Sequence, residues 1–255
     1  MLITNITALG LGFFGTLAIA PLFLKLLYKS NCLATNFKNV SIPIGMGIVL
    51  LFLQTLIITF LSIIMNIQNS IYLLTYNIGL LLVGLTGFLD DVIGNTSVKG
   101  VYGHFTSLIE GELTTGSIKA VITIICSFIL SYLFSNSITQ FFFNAVIISL
   151  FTNFINLFDL RPGRATKVFF FISIIMLFTS INGQFHYFLY SITGIALAYF
   201  PMDMKGKCMM GDVGSNVLGF TLGVFCVLTQ STLIKLFYFT FLVFVHIITE
   251  FYSIT

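Results

Sequence analysis

Charge is what this chain has least of. Only 7% of its 255 residues are Asp, Glu, Lys or Arg, 58% are hydrophobic, and mean hydropathy is +1.08. Soluble domains carry about 25% charged residues. Eleven basic and eight acidic side chains cannot cover a 28.3 kDa globule, so a soluble protein is excluded. Disorder is excluded as well, because disordered chains are poor in apolar residues and rich in charge. Paired cysteines are also missing: Cys32, Cys126, Cys208 and Cys226 form no CxxC, which argues against a disulfide framework or zinc site. No basic residue precedes the first apolar run, and Pro21 directly follows Ala18-Ile19-Ala20. That run therefore reads as a retained helix rather than a cleaved signal. Linkers, charge runs and internal repeats are lacking too, which predicts a single domain over residues 1–255.

What is present is long apolar runs, and these predict an all-α polytopic membrane protein. A transmembrane helix needs ~20 mostly apolar residues. Runs between polar breaks give nine spans, at 6–28, 43–65, 71–89, 118–134, 139–157, 167–183, 185–200, 214–229 and 232–250. The intervening loops alternate. One set is short and free of Lys, Arg, Asp and Glu; the other carries every basic residue except Lys235. The positive-inside rule makes the charged face cytoplasmic and the N-terminus external.

All eight acidic residues (Asp90, Asp91, Glu110, Glu112, Asp159, Asp203, Asp212 and Glu250) fall on that same face. Orientation gives no reason for this, since acidic residues contribute little to it. Carboxylates at a membrane boundary are costly unless paired or liganded, so this face is the expected active surface.

Three constellations stand out there. Asp90 and Asp91 close the third span, with Gly94 after them. Adjacent carboxylates repel unless a cation lies between them; the plainer alternative is a solvated cap in spite of the helix dipole. Asn153, Asn156 and Asp159 recur every third residue, on one helix face. They suit a phosphate, a ribose or a metal-bound water, or else they bond neighbouring helices, as Asn does in membranes. Arg161, Arg164 and Lys167 follow; they could clamp a diphosphate, a task for which Arg is suited, or anchor the loop by charge alone. Finally, Gly211-Asp212-Val213-Gly214-Ser215 opens the eighth span, where free backbone N–H groups favour an anion. The plainer alternative is an N-cap. The glycines on both sides of Asp212-Val213 suggest close ligand approach. Lys119, in Thr114-Thr115-Gly116-Ser117-Ile118-Lys119, is either a substrate cation or an anchor. His246 and Glu250 share a face, a spacing more often structural than catalytic, and His104 and His186 have no partner that the sequence identifies.

In this order the motifs resemble the polyprenyl-phosphate N-acetylhexosamine-1-phosphate transferase family, glycosyltransferase family 4. Asp90 to Gly94 matches its DDxxG, Asn153/Asn156/Asp159 its NxxNxxD, and Gly211 to Ser215 its GDxGS, while Ile42-Pro43-Ile44-Gly45-Met46-Gly47 looks like its first cytoplasmic Pro/Gly segment. The resemblance implies transfer of a sugar-1-phosphate from a nucleotide-sugar donor, usually UDP-linked, to undecaprenyl or another polyprenyl phosphate lipid. It implies Mg²⁺ as cofactor and a bacterial plasma membrane location, and dimers occur in the family. Nothing points to nucleic acid. By the same match, Asp212 is the principal metal ligand with Asp91 beside it, and Asp90, Asp91 and Asp159 are the catalytic carboxylates. Asn153, Asn156, Lys119, Arg161, Arg164, Gly211, Gly214 and Ser215 are the substrate-binding set.

Two stretches depart from the family. Its DGxxGLA continuation reads Asp159-Leu160-Arg161-Pro162-Gly163-Arg164-Ala165 here, and the aromatic residue often found shortly before GDxGS is Met209. Both touch nucleotide recognition. The HHxxE-type arm of the branch that uses UDP-MurNAc-pentapeptide is not visible, which favours a simpler UDP-GlcNAc-like donor for an envelope glycan. The competing readings are a non-catalytic relative that binds lipid-linked sugar or acts as a scaffold, a CDP-alcohol phosphotransferase, and a transporter. The second lacks its DGxxAR element here. The third would place ionisable groups near the bilayer midplane, whereas every carboxylate lies at one surface.

Overall fold

A computed structural model describes residues 1–64, 70–94 and 113–251. The expectations that rest on Lys99, His104, Glu110 and Glu112 fall outside the described residues. Among the described residues nine α-helices follow in chain order: α1 (Leu2–Lys29), α2 (Ile48–Ile64), α3 (Ser70–Ile93), α4 (Thr115–Phe134), α5 (Ile138–Phe158), α6 (Arg164–Thr179), α7 (His186–Met204), α8 (Gly211–Thr229) and α9 (Thr232–Phe251). Six of them, α1, α3, α4, α5, α8 and α9, are long and apolar enough to cross a membrane by length and composition. The protein is polytopic, and Ala18-Ile19-Ala20-Pro21 lies inside α1.

The expectation of a purely helical chain needs one correction. Leu33–Thr35 (β1) and Ser41–Pro43 (β2) form an antiparallel hairpin, with Leu33 opposite Pro43 and Thr35 opposite Ser41. The span read from residue 43 therefore starts only at Ile48. Pro43 belongs to the strand, and Gly45 at φ +77° turns the chain between strand and helix, a conformation that glycine adopts without strain.

Helix α8 is the axis of the bundle. It is apolar or small-residued on every side, and all but two of its residues are buried, the pattern of a helix enclosed by others. Gly219 and Gly223 let it close on α5. An added Cβ would lie 2.3 Å from the Phe151 carbonyl oxygen at the first and 2.8 Å from Ile148 Cα at the second. Small residues spaced in this way let helix backbones approach closely in a membrane. The same device joins α1 to α7: a Cβ at Gly12 would meet the Ser191 carbonyl oxygen, and one at Gly194 that of Leu9. Helix α9 lies outermost, packed on α5, with only Tyr238 and Leu242 buried.

A buried polar knot ties four helices together in the apolar interior. Gln54 on α2 donates to the Tyr76 hydroxyl of α3 (3.1 Å) and to the Phe188 carbonyl of α7 (3.0 Å), and it accepts from Ser191 (2.7 Å). Tyr76 in turn meets Thr221 of α8 at 2.9 Å and stacks on Phe188 with ring centroids 4.6 Å apart. A buried polar group must be satisfied in this way, since its desolvation is otherwise uncompensated.

Candidate active site

The site lies where α3 and α5 end and α4 and α8 begin. Sequence dictates each terminus. Thr114 caps α4 by accepting from the Ser117 N–H, and Ser117 Oγ accepts from the Thr114 N–H in return (both 3.1 Å), a reciprocal capping box. This fixes the first turns of α4 and with them Thr115 and Lys119. Helix α3 closes with the Gly94 N–H donating to the Asp90 carbonyl at 2.9 Å. A Cβ at Gly94 would press on that carbonyl and on Asp90 Oδ1, which is the physical reason for the last residue of DDxxG.

Lys119 is the hinge of the arrangement. Its ammonium donates to Asp90 Oδ2 at 2.8 Å and also to Asp212 Oδ2, bridging α3 and α8 from α4. Asp90 Oδ1 accepts from Thr115 Oγ1 at 2.5 Å. The Lys119 ammonium thus sits between carboxylates of two other helices.

Asp91 does something else. Its Oδ1 accepts from the Asp212 N–H (2.8 Å) and its Oδ2 from the Val213 N–H (3.2 Å). It thus caps α8 from another helix, at an N-terminus whose own N-cap residue, Met210, supplies no side-chain bond. A carboxylate there meets unsatisfied N–H groups and the positive helix end. Asp212 is accordingly held through both its backbone and its side chain.

The glycines of GDxGS admit protein groups. A Cβ at Gly211 (φ +74°) would fall on the Asp91 carboxylate, and one at Gly214 on the Met210 side chain and the Gly47 backbone. Ser215 is fully buried and donates to Asn156 Oδ1 at 3.1 Å, so two residues expected at the substrate also lock α8 to α5. Asn153 sits about one turn earlier on α5 and is half-buried.

Asp159 caps the C-terminus of α5, its backbone N–H donating to the Asn156 carbonyl, and it borders the same cleft as Asp212. Burial, and then the nearby carboxylates of Asp203, Asp212 and Asp91, push its pKa well above the usual carboxylate range. Both effects disfavour the charged form of Asp159. The turn after Asp159 carries exposed Arg161, with Arg164 opening α6. Asp203 fastens this turn: it is 3% exposed and accepts from Thr166 Oγ1 at 2.9 Å.

These groups border a cleft of about 180 Å³ whose lining includes Asp91, Asp159, Arg161, Asp203 and Asp212, together with Asn36 and Phe37 of the hairpin. Sequence reasoning placed Asp203 on the acidic face without giving it a role, and it missed Thr115 and the hairpin. Thr115 was visible only as part of a polar helix start, and Asn36-Phe37 carry no motif at all. His246 lies on α9, donates to the Leu242 carbonyl at 2.8 Å and is not among the residues that line the cleft.

In this polytopic membrane protein, carboxylates and a cation meet at helix ends on one side of the bundle. The profile of glycosyl transferase family 4 matches residues 73–230, well over half the chain, and the protein belongs to that family. In general terms it is a transferase of sugar phosphate to a polyprenyl-phosphate acceptor, with a nucleotide-sugar donor. The matched stretch holds every motif residue from Asp90 to Ser215 but leaves out the hairpin. No curated protein matches the chain significantly.

Proposed function

We propose that this cleft transfers N-acetylhexosamine-1-phosphate from a UDP-linked donor to undecaprenyl phosphate or a related lipid, on the cytoplasmic face of a bacterial plasma membrane, in the synthesis of an envelope glycan. A lipid phosphate oxygen attacks the phosphorus that carries the sugar. The bond from that phosphorus to the bridging oxygen breaks, and a nucleoside monophosphate leaves with the bridging oxygen. The products are a polyprenyl diphosphate-linked sugar and the monophosphate. Such a reaction needs positioning and charge neutralisation more than covalent chemistry. With a second pKa of ~6, the acceptor phosphate is largely dianionic at neutral pH and attacks without a strong base. Asp90, paired to Lys119 and Thr115, then serves to organise the site rather than to form a covalent bond.

The observation that carries this reading is the Lys119 bridge between Asp90 and Asp212, at the mouth of a helix whose N–H groups Asp91 holds in place. Lys119, Arg161 and Arg164 supply the cations for two anionic substrates, with Asn153 and Asn156 on the adjacent face. The basic residues of the same loops support a nine-span topology with this face cytoplasmic and the N-terminus external.

The donor set fits Mg²⁺. Among the described residues no three His, Cys, Asp or Glu side chains converge as a preformed metal centre. Mg²⁺ does not require one, because it takes one or two carboxylates plus substrate phosphate oxygens and keeps several waters. Asp91, Asp159 and Asp212 line one cleft and offer the oxygen donors that Mg²⁺ takes. Asp212 would be the principal ligand. Asp91 would assist, since a carboxylate that accepts one bond per oxygen retains further lone pairs. Bound there, the ion would neutralise the developing phosphate charge. Asp212→Asn tests the assignment: transfer to undecaprenyl phosphate should fall to background while the protein still inserts and purifies as wild type does. Undiminished transfer in that variant would remove Asp212 from the site.

A further inference from the structure

The lining of the cleft mixes two kinds of side chain: carboxylates with Arg161, and apolar residues, Ile42, Ile44 and Met209 among them. Phe37 is the only aromatic side chain among the described residues that line it, and it is 56% exposed. A large ring left in the open beside a charged cleft is not explained by packing of the bundle.

The chain holds that ring with some care. Asn36 Oδ1 accepts from the N–H groups of Lys38 (2.9 Å) and Val40 (3.0 Å), and Asn39 takes a left-handed conformation at φ +57°. This gives a closed polar turn of the kind Asn favours. The hairpin is then stitched to the loop ahead of α8: the Met209 N–H donates to the Pro43 carbonyl (2.7 Å), and the Met46 N–H to the Met209 carbonyl (3.1 Å). Phe37 is thus carried on a fixed arm tied to the segment that leads into Asp212. The Lys38 ammonium lies 5.4 Å from the ring centroid, placing a cation next to the aromatic surface.

We propose that Phe37 is the platform on which the nucleobase of the donor stacks, with the diphosphate directed toward Arg161. This rests on the donor being nucleotide-linked, as proposed above. An aromatic ring beside a cation suits a planar base joined to phosphate, and a pre-organised ring loses little freedom on binding. Stacking is tolerant of base identity because every base has a π-face. Phe37 therefore supplies affinity for the nucleotide without choosing its base.

The test is calorimetric binding of UMP, CMP, AMP, GMP and ribose 5-phosphate to the full-length protein in detergent with Mg²⁺. Phe37→Ala should weaken UMP and CMP alike by roughly 5- to 150-fold, the range of base–aromatic stacking, and leave ribose 5-phosphate unchanged. Phe37→Leu, which keeps an apolar side chain at a membrane surface but cannot stack, should behave like the Ala variant, and Phe37→Trp should bind as tightly as wild type. Equal UMP binding by wild type and Phe37→Ala would overturn the inference. So would wild-type binding by Phe37→Leu, which would make Phe37 a membrane-surface contact, or an equal loss for ribose 5-phosphate, which would make it a support of the fold. If wild type binds none of the four nucleotides, the nucleotide-donor reading itself fails, an outcome distinct from these.

Discussion

Removing the Lys119 ammonium is the most informative single perturbation of the site. Lys119→Met keeps the length and apolar stem of the side chain while deleting one cation that serves two carboxylates. Asp90, Asp212 and Lys119 have side chains only 18–26% exposed, so solvent screens the loss poorly. Breaking a buried ion pair from one side costs about 3–5 kcal/mol, because the charge left behind is uncompensated. Partial exposure places this case near the lower figure. If about 3 kcal/mol also reached the barrier, kcat/KM would fall by roughly 100-fold. The assay is transfer of labelled sugar phosphate from UDP-GlcNAc to undecaprenyl phosphate, read beside thermal unfolding in detergent. Adding Asp90→Asn to Lys119→Met removes one orphaned charge, so the double variant should regain stability without regaining activity. Wild-type activity and an unchanged unfolding midpoint in Lys119→Met would refute the bridge.

Three further outcomes follow from the same geometry. The pKa of Asp159 is raised, so the folded state favours its proton, and the stabilisation this gives is lost as pH rises through the folded-state value. In metal-free protein, Asp159→Asn should therefore raise the unfolding midpoint at mildly alkaline pH, the gain vanishing in acid below the ordinary carboxylate pKa of about 4; a lower midpoint in alkali would contradict this. Gln54→Leu severs the knot between α2, α3 and α7, yet Tyr76 keeps Thr221 and Ser191 keeps the Phe188 carbonyl. The cost should be about 1–2 kcal/mol in detergent unfolding, near the upper end for interhelical hydrogen bonds, with transfer activity retained. Gly47→Ala would drive a methyl to 2.2 Å from Gly214 Cα, and backbone cannot yield as a side chain can. The expected result is a loss of at least about 1–3 kcal/mol together with reduced transfer, since Gly214 lies beside Asp212; an unperturbed variant would show that this crossing is looser than described.

The helices were legible because a bilayer imposes a simple rule: about 20 apolar residues, then a polar break. Eight of the nine apolar runs begin within four residues of an observed helix start. The exception is the run from Pro43, where apolarity hid a strand and a turn, since a short buried strand and a helix start look alike in composition. The carboxylates were legible from their gathering on one face. Their partners were not. That Lys119 reaches both Asp90 and Asp212, or that Asp91 caps a helix more than a hundred residues away, depends on tertiary packing that no local spacing encodes. Gly211 and Gly214 illustrate the same limit: the sequence asks for close approach there but does not say by what.

The central claim is the reaction itself. It is tested most directly by incubating purified protein with Mg²⁺, undecaprenyl phosphate and a panel of labelled UDP-, CDP- and dTDP-sugars, while measuring nucleoside monophosphate release and lipid-linked product together. The account predicts stoichiometric release with at least one donor, and loss of both signals when the acceptor lipid is omitted. A folded protein that is silent across the whole panel would contradict it and favour a non-catalytic binder of lipid-linked sugar.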